Sequence, residues 1–340
     1  MRDVAQAAGV SAATVSRVLS GSRRVNPELA ARVLAAQDEL GYRTNLLASG
    51  LRRQRTDTVG MVVPQVGNPY FSALMEAVGR RLQRVGITVL LVDAENDPDA
   101  EAEGLHRLLD RSIDGLLAVP VDEHASTAAL TEAAERVHLV QLDRAAEGVP
   151  ADLVAVDHLA GIRSAVDHLV ARGCSDLAFV SAEPRDSTAR ERARAFDDAI
   201  RATGATARAS AFGSYTVEWG RVAATRLVEG GRLPQAIVCG NDLIALGVLA
   251  VLGEAGVDVP GEVAVTGYDD IGFATLTAPA LTTVRQPVDS LAEAAVDLLL
   301  GDGPGEDGPS VQRFVPKLIV RASTDPSAPV PHRRRVQERP

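Results

Sequence analysis

Cysteine is nearly absent from this chain: only Cys174 and Cys239 occur, far apart. That excludes a disulfide framework and a thiolate zinc site. Long apolar runs are missing too, and none approaches the ~18 residues of a membrane span. The opening stretch MRDVAQAAGV carries an acid at Asp3 and no apolar core, unlike a secretory signal, so the expected compartment is the cytoplasm. Aromatic residues make up 3% of the chain, which limits any binding site to a few stacking surfaces. Lysine is reduced to Lys317, a compositional bias rather than a functional sign. The six histidines (His106, His124, His138, His158, His168 and His332) show no metal spacing and read as surface or helix residues. No G-x-G-x-x-G opens a helix after the first strand, and neither G-x-x-x-x-G-K nor a serine nucleophile elbow occurs. The expectation is a protein that is not an enzyme, with no cofactor and no metal.

What is present is a division of charge. At roughly 150 residues per domain, 340 residues suggest two or more folded units. The net charge is −10, yet residues 1–55 carry nine arginines against four acids, a net +5, which leaves −15 on the rest. A small basic module on a large acidic body suits phosphate attraction. Charge alone fits a solvated basic face equally well.

The first 45 residues read as three helices. One runs from Arg2 to Ala8 and stops at Gly9; Ser11 caps a second, Ala12 to Leu19. Asn26-Pro27-Glu28 starts a third, with a cap, a proline at the first position and an acid on the dipole. Helix, tight turn and helix make the helix-turn-helix pattern, with Val4, Ala5, Ala8, Val10, Val15, Val18 and Leu19 as its core. Ala12, Ala13, Ser16 and Arg17 then face outward, where this motif meets base edges in the major groove. Arg17 suits a guanine edge, and the two alanines suit thymine methyls. A three-helix interaction module without DNA contact remains the alternative from pattern alone.

The strings DVAQAAGVSAATVSRVLSG and VNPELAARVLAAQDELGYRTN closely resemble the headpiece of the lactose-repressor (LacI/GalR) family of bacterial transcription regulators. The resemblance implies that Ala12, Ala13 and Arg17 read bases, and that Ser11, Thr14, Ser16 and Asn26 hold phosphates, with Arg24 on a further DNA-contact position. The family has a few residues before Asp-Val-Ala, including a phosphate-touching threonine, where this chain has Met1-Arg2. Either a shortened first turn or an upstream start is expected. The segment 45–53, capped by Asn45, is below the ~12–15 residues an isolated helix needs in water, and Gly50 weakens it by about 1 kcal/mol more. It resembles the family's hinge helix, which forms on DNA. Leu51 occupies the position of its minor-groove wedge, with Asn45, Ala48 and Arg52 as further contacts.

From Thr58 onward, short apolar strands alternate with amphipathic helices, and the pattern restarts after Val154–Val156. The fold class expected is a small all-α headpiece plus an α/β core of two doubly wound parallel-sheet lobes. The bounds expected are 1–44 for the headpiece, 45–56 for the hinge, 57–325 for the core and 326–340 for a disordered tail. Ligands then bind where strand carboxyl ends meet across a cleft. Gln65, Asn68, Tyr70 and Phe71 follow the first strand, Asp93 the second, Asp143 the fourth, and Asn241, Asp242 and Asp269 later ones. VVPQVGNPYFSALMEAV, CGNDLIALGVL and VAVTGYDDIGFATLTAPALTTVRQP resemble the family's effector core, which is similar to periplasmic sugar-binding proteins. The resemblance implies Asp242 as the effector carboxylate, Arg192 as the ligand arginine, Tyr215 as a stacking surface and Gln286 as a contact in a crossing segment. Capping for Asp242 and a surface pair for Arg192 are the alternatives, and Trp219 reads as helix packing. The expected partners are a pseudo-palindromic DNA operator, a small effector such as a sugar, and a second copy of the chain, with no membrane. The tail lacks the leucine heptads of a tetramerising coiled coil.

Overall fold

The computed structural model describes residues 1–20, 25–41, 56–301, 303 and 308–328. The chain divides into two units, Met1–Asp57 and Thr58–Pro340. In the first, α1 (Arg2–Ala8), α2 (Ala12–Ser20) and α3 (Pro27–Glu39) follow the helix signals closely. Gly9 ends α1 at φ 61°, a left-handed conformation that costs an ordinary L residue about 1–2 kcal/mol. The Val10 N–H then reaches back to the Ala5 carbonyl at 3.0 Å. A Cβ on Gly9 would stand 2.6 Å from the Arg32 guanidinium, which itself donates to the Ala8 carbonyl. Ser11 Oγ accepts the Thr14 N–H at 3.1 Å, and Asn26 Oδ1 accepts the Glu28 N–H at 2.8 Å. Val4, Ala5, Ala8 and Val15 are buried with Val33 and Ala36 from α3, and Val10, Val18 and Leu19 pack against them.

The second unit holds two lobes. β1 (Thr58–Val63), α4 (Pro69–Arg84), β2 (Thr88–Asp93), α5 (Pro98–Leu109), β3 (Gly115–Ala118), α6 (Thr127–Arg136), β4 (Leu139–Leu142) and β5 (Asp152–Val156) begin the first. The second lobe runs α7 (His158–Ala171), β6 (Asp176–Ala182), α8 (Ser187–Thr203), β7 (Thr206–Gly213), α9 (Val217–Glu229) and β8 (Ala236–Cys239). It continues through α10 (Asp242–Glu254), β9 (Ala264–Asp269), a 3-10 turn (Gly272–Thr275) and β10 (Thr282–Arg285). The chain then returns: α11 (Val288–Leu300) packs on the first lobe, β11 (Val311–Phe314) joins its sheet, and β12 (Lys317–Ile319) joins the second. The sheet orders are β11-β5-β4-β3-β1-β2 and β12-β10-β9-β8-β6-β7. Every pairing is parallel except β12 with β10, so the second sheet departs from an all-parallel expectation at its edge.

Each sheet is covered on both faces, which is why its central strands read as continuous apolar runs. Leu74, Val78, Leu291 and Val296 lie over one face of the first sheet, and Leu105, Leu108 and Leu130 over the other. Helix α6 has no side-chain cap and buries only Leu130 and Ala133, so its signal is weak.

Helices α4, α7, α8 and α10 start on Asn68, Asp157, Asp186 and Asn241, each accepting a backbone N–H of its first turn. These caps sit just past strand carboxyl ends. The fold therefore gathers polar side chains where the two sheets meet.

Candidate functional site

The headpiece offers its candidates in the open. Ser11, Ala12, Ala13, Arg17 and Asn26 are exposed, and Thr14 and Ser16 are half-buried. Ser11 and Thr14 hydroxyls lie 2.9 Å apart at the start of α2. Arg24 of the headpiece, hinge residues 45–55 with Asn45, Ala48, Leu51 and Arg52, and residues 329–340 of the expected tail lie outside the described residues.

The cleft between the lobes is the opposite case. Asn68, Tyr70 and Phe71 at the start of α4, and Asp143 and Arg144 after β4, face Arg192 on α8, Tyr215 after β7, Asn241 after β8 and Asp269 at the end of β9. The Tyr70 hydroxyl donates to Asp143 Oδ1 at 2.6 Å. Burial raises the pKa of both groups, and the Asp143 charge raises that of Tyr70 further. Arg192 donates to the Gly240 carbonyl at 2.7 Å, lies 3.7 Å from Asp269 Oδ1 and stacks 3.8 Å from the Tyr268 ring centroid. Burial works against its charge, but neighbouring tyrosines and aspartates outweigh it. Gln286 Nε2 donates to Asp269 Oδ1 at 2.6 Å. Burial pushes the Asp269 carboxyl up to about 7, against the pull of Arg192 and Gln286. Arg144 lies 3.6 Å from Asp186 and 5.4 Å over the Phe71 ring. Two arginines thus sit among three buried aspartates, Asp143, Asp186 and Asp269, in and behind the cleft wall.

Nine of the twelve sequence candidates meet here: Asn68, Tyr70, Phe71, Asp143, Arg192, Tyr215, Asn241 and Asp269 on the cleft wall, and Gln286 through Asp269. Three do not. Asp242 is fully buried beneath the wall, with Oδ1 accepting from the Thr283 hydroxyl at 2.5 Å and Oδ2 from the Ile271 N–H at 2.8 Å. Its carboxylate ties the turn after β9 to α10, while the cap of α10 is Asn241. Gln65 is exposed on the loop after β1 and does not line the cleft. Asp93, also exposed, accepts the Glu95 N–H at 3.1 Å. Of Asp242 and Asp269, the one that reaches the cleft is Asp269, and beside it the Asn241 Nδ2 has no partner. Both were visible as polar residues at strand ends; Arg144 and Thr188 carried no such signal.

His158 opens α7 as a helix residue, with Asp157 as the cap. It is buried, its Nδ1 lies 2.9 Å from the Tyr268 hydroxyl and 3.4 Å from Arg192 Nε. Burial, then the arginine charge, holds its pKa well below the ordinary value. Trp219 donates to the Ser181 carbonyl at 3.0 Å and packs on the second lobe, as helix packing requires. Among the described residues no group of three His, Cys, Asp or Glu side chains is placed to hold a metal ion, and no helix is long and apolar enough to cross a membrane.

Comparison with known proteins follows these divisions. Residues 1–45 match the family model for bacterial regulatory proteins of the lacI family, and residues 166–324 match the periplasmic binding protein-like domain. The chain is 36% identical to the HTH-type transcriptional regulator reg1 of Streptomyces lividans, over 95% of this chain and 96% of the relative. It is 33% identical to the ribose operon repressor of Escherichia coli, over 88% and 92%. The crystal structure of the lac repressor dimer bound to operator and the anti-inducer ONPF superposes with a TM-score of 0.86 at 27% identity, covering 95% of this chain and 98% of that one. With its helix-turn-helix headpiece and two-lobed α/β core, the chain belongs to the LacI family of bacterial transcriptional regulators.

Proposed function

We propose that the chain is an operator-binding repressor, acting as a homodimer in the cytoplasm, whose DNA affinity is switched by a neutral polyhydroxyl ligand, a sugar, held between the lobes. One observation carries the reading: an exposed recognition helix and a buried cleft whose arginines are already paired with aspartates occur in the same chain. On α2, Ala12, Ala13 and Arg17 are the base-reading residues, with Ser11, Thr14, Ser16 and Asn26 on phosphates. A headpiece of this size makes few contacts alone, and two-fold pairing of two copies doubles them on a pseudo-palindromic site. Relatives support this reading: one is named a ribose operon repressor, and the lac repressor structure is a dimer on operator with a small molecule bound.

In the cleft, Asp143, Asp269, Arg192, Asn241 and Gln286 are the polar contacts, with Tyr70, Phe71 and Tyr215 as the surfaces on which a sugar face rests. Because Arg144 and Arg192 are already offset by Asp143, Asp186 and Asp269, an uncharged ligand is favoured over a phosphate. Carboxylates bound to arginine, tyrosine and glutamine orient hydroxyls rather than drive bond cleavage, which supports a sensor rather than an enzyme. Ligand binding changes how the lobes meet, and a coupling of ~1–3 kcal/mol shifts operator affinity about 5- to 150-fold.

Selection of bound duplexes from a random DNA pool, followed by sugar titration of the selected complex, tests this. A pseudo-palindrome with a flexible centre, released on sugar addition, is expected. No enrichment with or without sugars would remove the regulator reading.

A further inference from the structure

Arg32 is one of nine arginines in residues 1–55, and charge alone would assign it to phosphate. Its guanidinium is instead spent inside the headpiece. From α3, its Nη2 donates to the carbonyl of Ala8, the last residue of α1, at 2.5 Å. Carbonyls at a helix C-terminus lack intrahelical donors and carry the negative end of the dipole, so a cation is a fitting partner. The Gly9 and Val10 N–H groups turn back to Gln6 and Ala5 at 3.2 and 3.0 Å, and the Ala8 carbonyl is served by the side chain.

The contact sits at the joint between α1 and α2. Only Gly9, Val10 and Ser11 separate Ala8 from the first residue of α2, and Gly9 sets the direction of departure at φ 61°. The guanidinium stands 2.6 Å from where a Cβ on Gly9 would lie. Next to Arg32 in the chain, Val33 is fully buried in one cluster with Val4, Ala5 and Ala8 of α1. The backbone of the arginine is thus anchored, and its side chain acts as a strut against the joint.

Little else is placed to hold that angle. Among the described residues, the buried core of the headpiece is valine and alanine only. Apolar burial stabilises in proportion to area, and side chains this short interlock weakly. Base reading needs more precision than such a core supplies. A binding constellation must be held within about 0.5 Å and 10–20°, whereas phosphate contacts carry no sequence information.

We propose that Arg32 is a positioning residue for the recognition helix. It fixes the joint from which α2 leaves α1, so that Ala12, Ala13 and Arg17 meet their bases, and it makes no DNA contact itself. The assignment rests on the operator reading of the headpiece and separates one of its arginines from the phosphate-binding set.

Titration of the full chain with two labelled duplexes tests it: the site recovered from the random pool, and a duplex of the same length and composition in scrambled order. Arg32→Met is expected to weaken binding to the selected site tenfold or more and binding to the scrambled duplex less than threefold. The slope of log affinity against log salt on the selected site is expected to keep its wild-type value. Arg32→Lys, which retains a cationic donor, is expected to bind the selected site within threefold of wild type. Arg32→Gln, a milder change, carries the same comparison if Arg32→Met unfolds the headpiece. A lost phosphate contact lowers the salt slope by about 0.9 and weakens both duplexes alike. Equal losses on the two duplexes in both variants, a slope reduced by about that amount, or wild-type affinity of Arg32→Met for the selected site would each overturn the positioning role alone. A wild-type chain that binds no selected duplex better than its scrambled form would overturn the operator reading along with it.

Discussion

Ala12, Ala13 and Arg17 stand exposed on α2, whereas Tyr70, Asp143, Arg192 and Gln286 are each less than 5% exposed and bonded to neighbours within the core. The two surfaces answer different partners. A polyanion brings its own strong field, so a DNA-facing helix keeps its arginine hydrated and gains from counterion release. A small neutral ligand brings no such field, and its contacts gain strength only where water is excluded. The cost is that buried polar groups need partners even without the ligand, which is why most side chains there pair with one another, with Asn241 Nδ2, the Tyr215 hydroxyl and Gln286 Oε1 left over.

Breaking one of those pairs should have the largest effect. Arg192→Ala leaves Asp269 buried without its arginine, and losing one partner of a buried ion pair destabilises by about 3–5 kcal/mol. Denaturant midpoints should fall accordingly, and calorimetry should show ligand affinity lost by more than about a hundredfold. On the other surface, Arg17→Ala should weaken operator binding by about 1–3 kcal/mol, or 5- to 150-fold, with ligand affinity unchanged by calorimetry. Salt sharpens the contrast: operator affinity should fall linearly on a log–log plot of salt concentration, while ligand affinity stays flat.

A subtler test uses pH. Asp269 is held protonated up to about 7 by burial, so the folded chain binds its proton more tightly than the unfolded chain does. Its contribution is full below the ordinary carboxylate value near 3.9 and is lost as pH rises through about 7. Wild-type stability should therefore decline relative to Asp269→Asn between pH 4 and 7 in denaturant titrations. The smallest effect is local. Ser11→Ala removes the cap at the start of α2 and should cost the headpiece about 1 kcal/mol, read as a lower midpoint of its own unfolding transition.

How much of this was legible in the sequence follows the range of the interactions. Gly9, Ser11 and Asn26-Pro27 act within four residues of themselves, and their turn and caps are where the residues place them. Strands β1, β3, β4 and β8 are buried along nearly their whole length and announce themselves as apolar runs. Asp242 against Asp269 is the case that local reading cannot decide. Both follow strands, but Thr283 arrives from 41 positions away to claim one and Arg192 from 77 positions away to claim the other. The partners of His158 are hidden for the same reason, since Tyr268 and Arg192 are distant in the chain. Antiparallel β12 depends on register at a sheet edge, and three residues carry too little pattern to show it.

The three passages between lobes, at 156–158, 285–288 and 314–317, also set an order of events during synthesis. The first lobe begins at Thr58, yet Leu291, Ala292, Ala295, Val296 and Leu299 of α11 belong to its core, and β11 completes its sheet. The second lobe, apart from one edge strand, is contained in a single uninterrupted stretch from α7 to β10. On the ribosome, the lobe that is started first must therefore wait, with part of its apolar face uncovered, until nearly all of the other has emerged.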